Sequence, residues 1–112
     1  MSAVRHWVLQ RVTAVALIPL SLWFVTSLMF LPSFDYATLT SWVSQRSTAM
    51  LLVGFILASA WHSQLGVRVV IEDYVHGQRA QRVTLAASGL VHAALVLATA
   101  YSVLSIAFGR GS

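Results

Sequence analysis

Three stretches without a charged side chain, Val12–Leu31, Ser47–Val67 and Val83–Gly109, occupy 20, 21 and 27 of the chain's 112 residues. About 20 apolar residues at 1.5 Å rise cross the ~30 Å hydrocarbon core of a bilayer, so each stretch is long enough for a transmembrane helix. The 44 residues left over are scattered across two ends and two short connections. They cannot build a separate soluble core, since domains below ~40 residues are marginal even when contiguous. Composition agrees: 58% of the residues are hydrophobic and 9% charged, against ~45–50% and ~25% in soluble domains. Soluble catalytic machinery therefore belongs to other chains. The chain has no cysteine, which excludes disulfides, thiolate-held iron–sulfur clusters, thioether haem attachment and a cysteine nucleophile.

Positive charge is sparse and placed on one side. The net charge of +4 comes from seven arginines and no lysine. Arg5 and Arg11 precede the first span, and Arg68, Arg79 and Arg82 surround the turn between the second and third, which puts five on one side of a three-span chain. Arg46 and Arg110 fall on the other. The positive-inside rule then predicts an N-terminus inside and a C-terminus outside. Nothing clusters into the single basic face that a nucleic acid requires. The first apolar run exceeds the ~7–15 residues of a signal-peptide core and no small-x-small site closes it, so it reads as a retained helix.

The expected architecture is an all-α membrane protein in one domain, residues 1–112, with helices over about 10–31, 47–72 and 80–108 in up-down-up order. Trp7 and Arg11 anchor the first span at the inner interface. Pro19 lies within it and is expected to bend it. Leu31-Pro32 ends it, because proline disfavours helical geometry in the residue before. Asp35 can then cap a short amphipathic helix with Tyr36, Leu39, Trp42 and Val43 on its apolar face, expected to lie in the outer interface.

Gly54, Ala58, His62 and Gly66 recur every four residues and form one stripe on the second span. Small residues let a neighbouring helix, or a flat macrocycle, approach the backbone. In the third span Ala86, Gly89, Ala93 and Ala100 suit tight packing, and Ser88, His92, Thr99 and Ser102 form a more polar stripe. His62 and His92 are the intramembrane ionisable residues, each ten positions from an inner-side charge and so ~15 Å from that interface. Each is open to two readings: an interhelical hydrogen bond, or an axial haem ligand held through its second nitrogen. His6 and His76 read as interfacial, solvated or partner-contacting residues.

His62-Ser-Gln-Leu-Gly66, followed by Glu72-Asp73-Tyr74-Val75, gives the pattern His-x3-Gly-x6-Asp-Tyr. With Arg11-Val-Thr13-Ala14 at the mouth of the first span, it resembles the smaller cytochrome b-type membrane anchor subunit of succinate dehydrogenase, respiratory complex II, along essentially the whole chain. The resemblance implies that His62 is an axial ligand of haem b, with the second from a larger cytochrome b anchor subunit. It implies that Tyr74 hydrogen-bonds the carbonyl of ubiquinone or menaquinone, supported by Asp73. Arg11 matches a basic residue near the haem propionates and quinone pocket, and Gly66 would leave room for the macrocycle. Iron–sulfur and flavoprotein subunits and a bacterial inner membrane, less readily a mitochondrial one, follow as expectations; no catalytic residue is assigned to this chain.

Arg68 and His92 stand outside the pattern. Arg68 reads as snorkelling to the inner interface or reaching a propionate. His92 reads as a packing residue or as a second ligand within this chain. The alternatives to the resemblance are a fumarate reductase anchor, a membrane scaffold or assembly protein without a redox site, and a haem carrier using His62 and His92 together.

Overall fold

In the computed structural model, which describes residues 2–109, four helices follow one another: α1 Ala3–Met29, α2 Tyr36–Ser44, α3 Arg46–Tyr74 and α4 Gln78–Gly109. The helices α1, α3 and α4 are each long and apolar enough to cross a membrane. The expected Arg110 lies outside the described residues.

α1 starts seven residues earlier than its apolar run predicts. Ser2 caps it, its hydroxyl accepting from the Arg5 amide at 3.1 Å, so the helix begins in the interface, where water satisfies arginine and hydropathy gives no signal. It continues through Pro19; a proline is tolerated in a membrane helix where neighbours re-satisfy the freed carbonyl. It ends at Phe30, just before Leu31-Pro32.

Asp35 caps α2, accepting from the Thr38 amide at 2.8 Å. Hydrogen bonds from the Thr38 hydroxyl and then the Thr38 amide hold its carboxyl below the usual carboxylate range. The short helix exists where expected, but its faces are divided differently. Trp42 turns inward, stacked on Trp23 of α1 at 6.0 Å and 6.3 Å from Phe24, which in turn meets Phe55 of α3 at 5.2 Å. Tyr36 stays 75% exposed. The Ser44 hydroxyl donates to the Thr40 carbonyl in its own helix at 2.6 Å and lies 3.3 Å from the Ile106 carbonyl near the end of α4. α2 is thus tied to α1 by ring contacts that an apolar-face count does not weigh, and it packs against α3 and α4.

Gln45 alone separates α2 from α3, its extended backbone (φ −65°, ψ 134°) serving as the end of one and the start of the other. The turn from α3 to α4 needs Gly77, whose φ of +90° is strained for any residue with a Cβ. Gln81 then closes the turn, its side-chain amide donating to the carbonyls of Val75 at 3.0 Å and Glu72 at 3.3 Å. Those are among the carbonyls a helix end leaves without a partner.

α3 is the central element. It packs against α1 on one side and α4 on the other. The pairings His6 with Leu65 and Thr13 with His62, then Gln81 with Glu72 and Ser88 with Gln64, show that both neighbours run antiparallel to it. Arg5, Arg11, Arg68, Arg79 and Arg82 consequently gather at one end of the bundle. Among the described residues the core is thin: Ala49, Leu52, Leu65 and Ile71, with Thr13, Thr40 and Thr48. Large apolar side chains cover the outside, and α4 has no buried residue. Such a surface is stable in lipid or against other apolar helices, not in water.

The small-residue stripes are used only in part. Gly66 faces α1, where a Cβ would meet the Gln10 side chain at 3.7 Å, while a Cβ on Gly54 would meet nothing within 4 Å. Ala86 and Ala93 on α4 are exposed, so the side expected to pack tightly is turned partly outward. The polar stripe of α4 also divides. Ser88 and His92 reach α3, whereas Thr99 and Ser102 donate to the carbonyls of Leu95 and Ala98 in their own helix, at 2.6 and 2.8 Å. Hydroxyls satisfied this way need no partner helix.

Candidate functional site

His62 lies on α3, and its Nδ1 is 3.0 Å from the Oγ1 of Thr13 on α1. Thr13 is 7% exposed, and its hydroxyl is also 2.9 Å from the Leu9 carbonyl and 3.1 Å from that of Gln10. A hydroxyl has one proton, and carbonyls only accept. The assignment that gives every contact a proton has Thr13 donating to the backbone and accepting from Nδ1–H of His62. In the neutral ring that tautomer puts the lone pair on Nε2. Among the described residues no hydrogen bond reaches that nitrogen, and the chain does not enclose it. One nitrogen held by a hydrogen bond and the other open is how a metal-ligating histidine is oriented.

His92 differs in each of these respects. Its Nδ1 is 2.8 Å from the Ser88 carbonyl and therefore carries the proton; its Nε2 is 3.0 Å from the Ser63 hydroxyl. Ser88 donates in turn to Gln64 Oε1 at 2.8 Å. Both ring nitrogens are thus committed to a polar clip between α3 and α4. His62 turns to α1 and His92 to the α3–α4 seam, so the structure does not bring the two imidazoles together. A Ser63→Ala/His92→Ala double-mutant cycle, followed by thermal unfolding in detergent, should give a coupling of about 0.6–1.7 kcal/mol, the range of interhelical hydrogen bonds in membranes.

Toward the arginine-rich end, α1 and α3 flank an open cleft of about 500 Å³ lined by His6, Gln10, Arg11, Arg68 and Glu72. His6 does not stand free in the interface as expected: its Nε2–H donates to the Leu65 carbonyl at 3.2 Å, joining α1 to α3. The Arg11 guanidinium lies over the Trp7 ring, 5.3 Å from its centroid, a cation–π contact. Arg68 meets Glu72 one turn on, at 3.4 Å. Both side chains are more than a third exposed, so this pair adds little stability. The buried Gln10 Oε1 has no partner among the described residues. Asp73 and Tyr74 do not line the cleft; they end α3, exposed, with Tyr74 77% accessible.

The structure therefore joins His62 and Gly66 to α1, sets Arg11 and Arg68 in the lining of one cleft, and leaves Asp73, Tyr74 and His92 apart from both. Among the described residues no three His, Cys, Asp or Glu side chains assemble a metal centre. The Thr13 contact carries no periodic signature. Its trace in the sequence is the Arg11-Val-Thr13-Ala14 stretch at the mouth of the first span, which does not by itself indicate a contact with His62.

Three helices long and apolar enough to cross a bilayer, packed around a thin core, define a multi-pass membrane protein. Residues 2–101 match the family model for the succinate dehydrogenase/fumarate reductase transmembrane subunit, and the chain belongs to that family. It is 35% identical over 75 residues to the succinate dehydrogenase hydrophobic membrane anchor subunit of Rickettsia bellii (strain RML369-C), an alignment covering 66% of this chain and 59% of that one. With the protein of the same name from Rickettsia typhi (strain ATCC VR-144 / Wilmington) the figures are 37% over 76 residues, 67% and 60%. The chain thus spans about 60% of the length of these relatives. The succinate dehydrogenase membrane anchor subunit of Reclinomonas americana is 32% identical over 98 residues, covering 75% of this chain and 72% of that one. No solved structure matches significantly.

Proposed function

We propose that the chain is the smaller membrane anchor of a succinate:quinone oxidoreductase and that it supplies one axial ligand, His62, to a haem b shared with a larger anchor subunit. The observation that carries this reading is the open Nε2 of His62, oriented through Nδ1 by a buried hydroxyl. It leaves the lone pair without a partner among the described residues, available to a group held between this chain and another. Haem b, when bound, supplies a one-electron redox centre. The chain's own residues position it: His62 offers the nitrogen, and Arg11 and Arg68 put positive charge at the arginine-rich end, where a propionate can accept a forked hydrogen bond. Gly66 packs against Gln10, so its smallness serves the α1–α3 contact that keeps Thr13 on His62.

Tyr74 and Asp73 form the second functional group. Their exposure at the end of α3 suits a quinone pocket completed by neighbouring subunits. The phenol donates to a quinone carbonyl oxygen as two electrons and two protons convert quinone to quinol, and Asp73 supports the phenol. Succinate oxidation at a flavin and transfer through iron–sulfur clusters belong to partner chains. The relatives' names favour succinate oxidation over fumarate reduction. The absence of cysteine and the short connections leave this chain no means of carrying the earlier steps.

The arginine-rich end faces inward in this reading, across the inner membrane of a bacterium, as its Rickettsia relatives suggest. Because the chain has no cysteine, Ala3→Cys and Ser41→Cys report sidedness cleanly. A membrane-impermeant thiol reagent applied from outside should label the second and not the first; the reverse pattern inverts the orientation. For the haem, the complex purified through this chain should show a low-spin b-type band on dithionite reduction. Its absence would leave a haem-free anchor.

A further inference from the structure

We infer that Thr13 is a positioning residue for His62: its hydroxyl fixes the imidazole as the Nδ1–H tautomer and, by accepting that proton, sets the donor strength of Nε2. This rests on the proposal that His62 ligates haem b.

Three observations carry it. Thr13 is 7% exposed in a molecule with few buried residues. Its proton is committed to backbone carbonyls at 2.9 and 3.1 Å, which leaves the oxygen available as an acceptor toward His62. The contact spans two helices, residue 13 to residue 62, and the pairs His6–Leu65 and Gln10–Gly66 continue the same antiparallel register toward the arginine-rich end. Rotating His62 away from this geometry costs an intramembrane hydrogen bond with no water to replace it. Hydrogen bonds to the far nitrogen of a ligating imidazole raise its basicity, fix its orientation and typically change metal affinity by 10- to 100-fold when removed. A more basic nitrogen favours ferric over ferrous iron, so the Thr13 hydroxyl lowers the haem potential.

Thr13→Val keeps the shape and deletes the acceptor; Thr13→Ser keeps the acceptor. In the complete purified complex, Thr13→Val should retain the b-type band, lose haem at least about tenfold faster to a scavenger, and shift the ferric–ferrous equilibrium toward ferrous. That shift should reach up to about tenfold, or about 59 mV upward for one electron. Thr13→Ser should match the parent in both. If the valine variant does not assemble, Thr13→Cys, with sulfur as a weak acceptor, should give an intermediate upward shift. Parent-like potential and haem retention in Thr13→Val, or a parent-like potential in Thr13→Cys, overturns the inference. A b-type band that survives His62→Leu unchanged instead overturns the ligand reading beneath it, whatever Thr13 does.

Discussion

His62→Leu should abolish the low-spin b-type absorption of the reduced complex while the chain still inserts and folds. The substitution removes an imidazole from mid-bilayer and replaces it with a side chain that lipid accepts without cost. The lost contact to Thr13 is one interhelical hydrogen bond, worth about 0.6–1.7 kcal/mol in membranes. Thr13 is not orphaned, because its hydroxyl already donates to the Leu9 carbonyl. Fold and ligation are therefore separable at this position. A haem centre that loses one of two axial nitrogens becomes high-spin or is not retained at all, a far larger effect than the small loss of stability. The measurement is the reduced-minus-oxidised spectrum of the purified complex beside a thermal unfolding curve of the same sample. Unfolding with the band intact would reverse the assignment.

Tyr74→Phe is the second large effect. Tyr74 is 77% exposed and no neighbour within the chain depends on its hydroxyl, so the change should leave folding unaltered. A donor aimed at an oxygen that gains charge during reduction contributes more than a ground-state hydrogen bond, on the order of 10²–10³ in rate where such donors have been removed. Quinone reductase activity should fall at least about tenfold, with succinate oxidation through an artificial dye unaffected. Equal retention of both activities would take Tyr74 out of the quinone site; equal loss of both would point to a defect in assembly.

What the sequence makes legible here is what the bilayer dictates. The three uncharged runs predict α1, α3 and α4 because a helix is the simplest element that satisfies its backbone in hydrocarbon. The spacing of His62, Asp73 and Tyr74 along one helix follows from 1.5 Å per residue. Three features are not legible, each for a physical reason. The start of α1 at Ala3 lies in the interface, where Ser2 caps the helix and hydropathy says nothing. The inward turn of Trp42 depends on Trp23, Phe24 and Phe55 meeting from separate helices. The different fates of His62 and His92 are the clearest case. Both sit at one depth, so spacing along the helices does not separate them and only the motif singles out His62; the structural difference is that Thr13 meets one nitrogen of His62, while Ser88 and Ser63 occupy both nitrogens of His92. Spacing along a helix gives depth, but it does not say which neighbour waits on which side.

Asp73 and Tyr74 show the converse. Their motif is legible and their geometry within the chain is unremarkable, two exposed residues at a helix end. A pocket built by several chains leaves each contributor looking unfinished. The same reasoning applies to α4, which buries no residue and offers alanines outward.

The central claim is that His62 points its free nitrogen at iron. A density map of the assembled complex, purified through this chain and resolved well enough to place side chains, tests it most directly. The account predicts haem beside α3 with its iron bonded to Nε2 of His62, Nδ1 still on the Thr13 hydroxyl, and the opposite axial histidine on another subunit. Iron ligated by no side chain of this chain, or His62 Nε2 hydrogen-bonded to protein with no haem nearby, would contradict it.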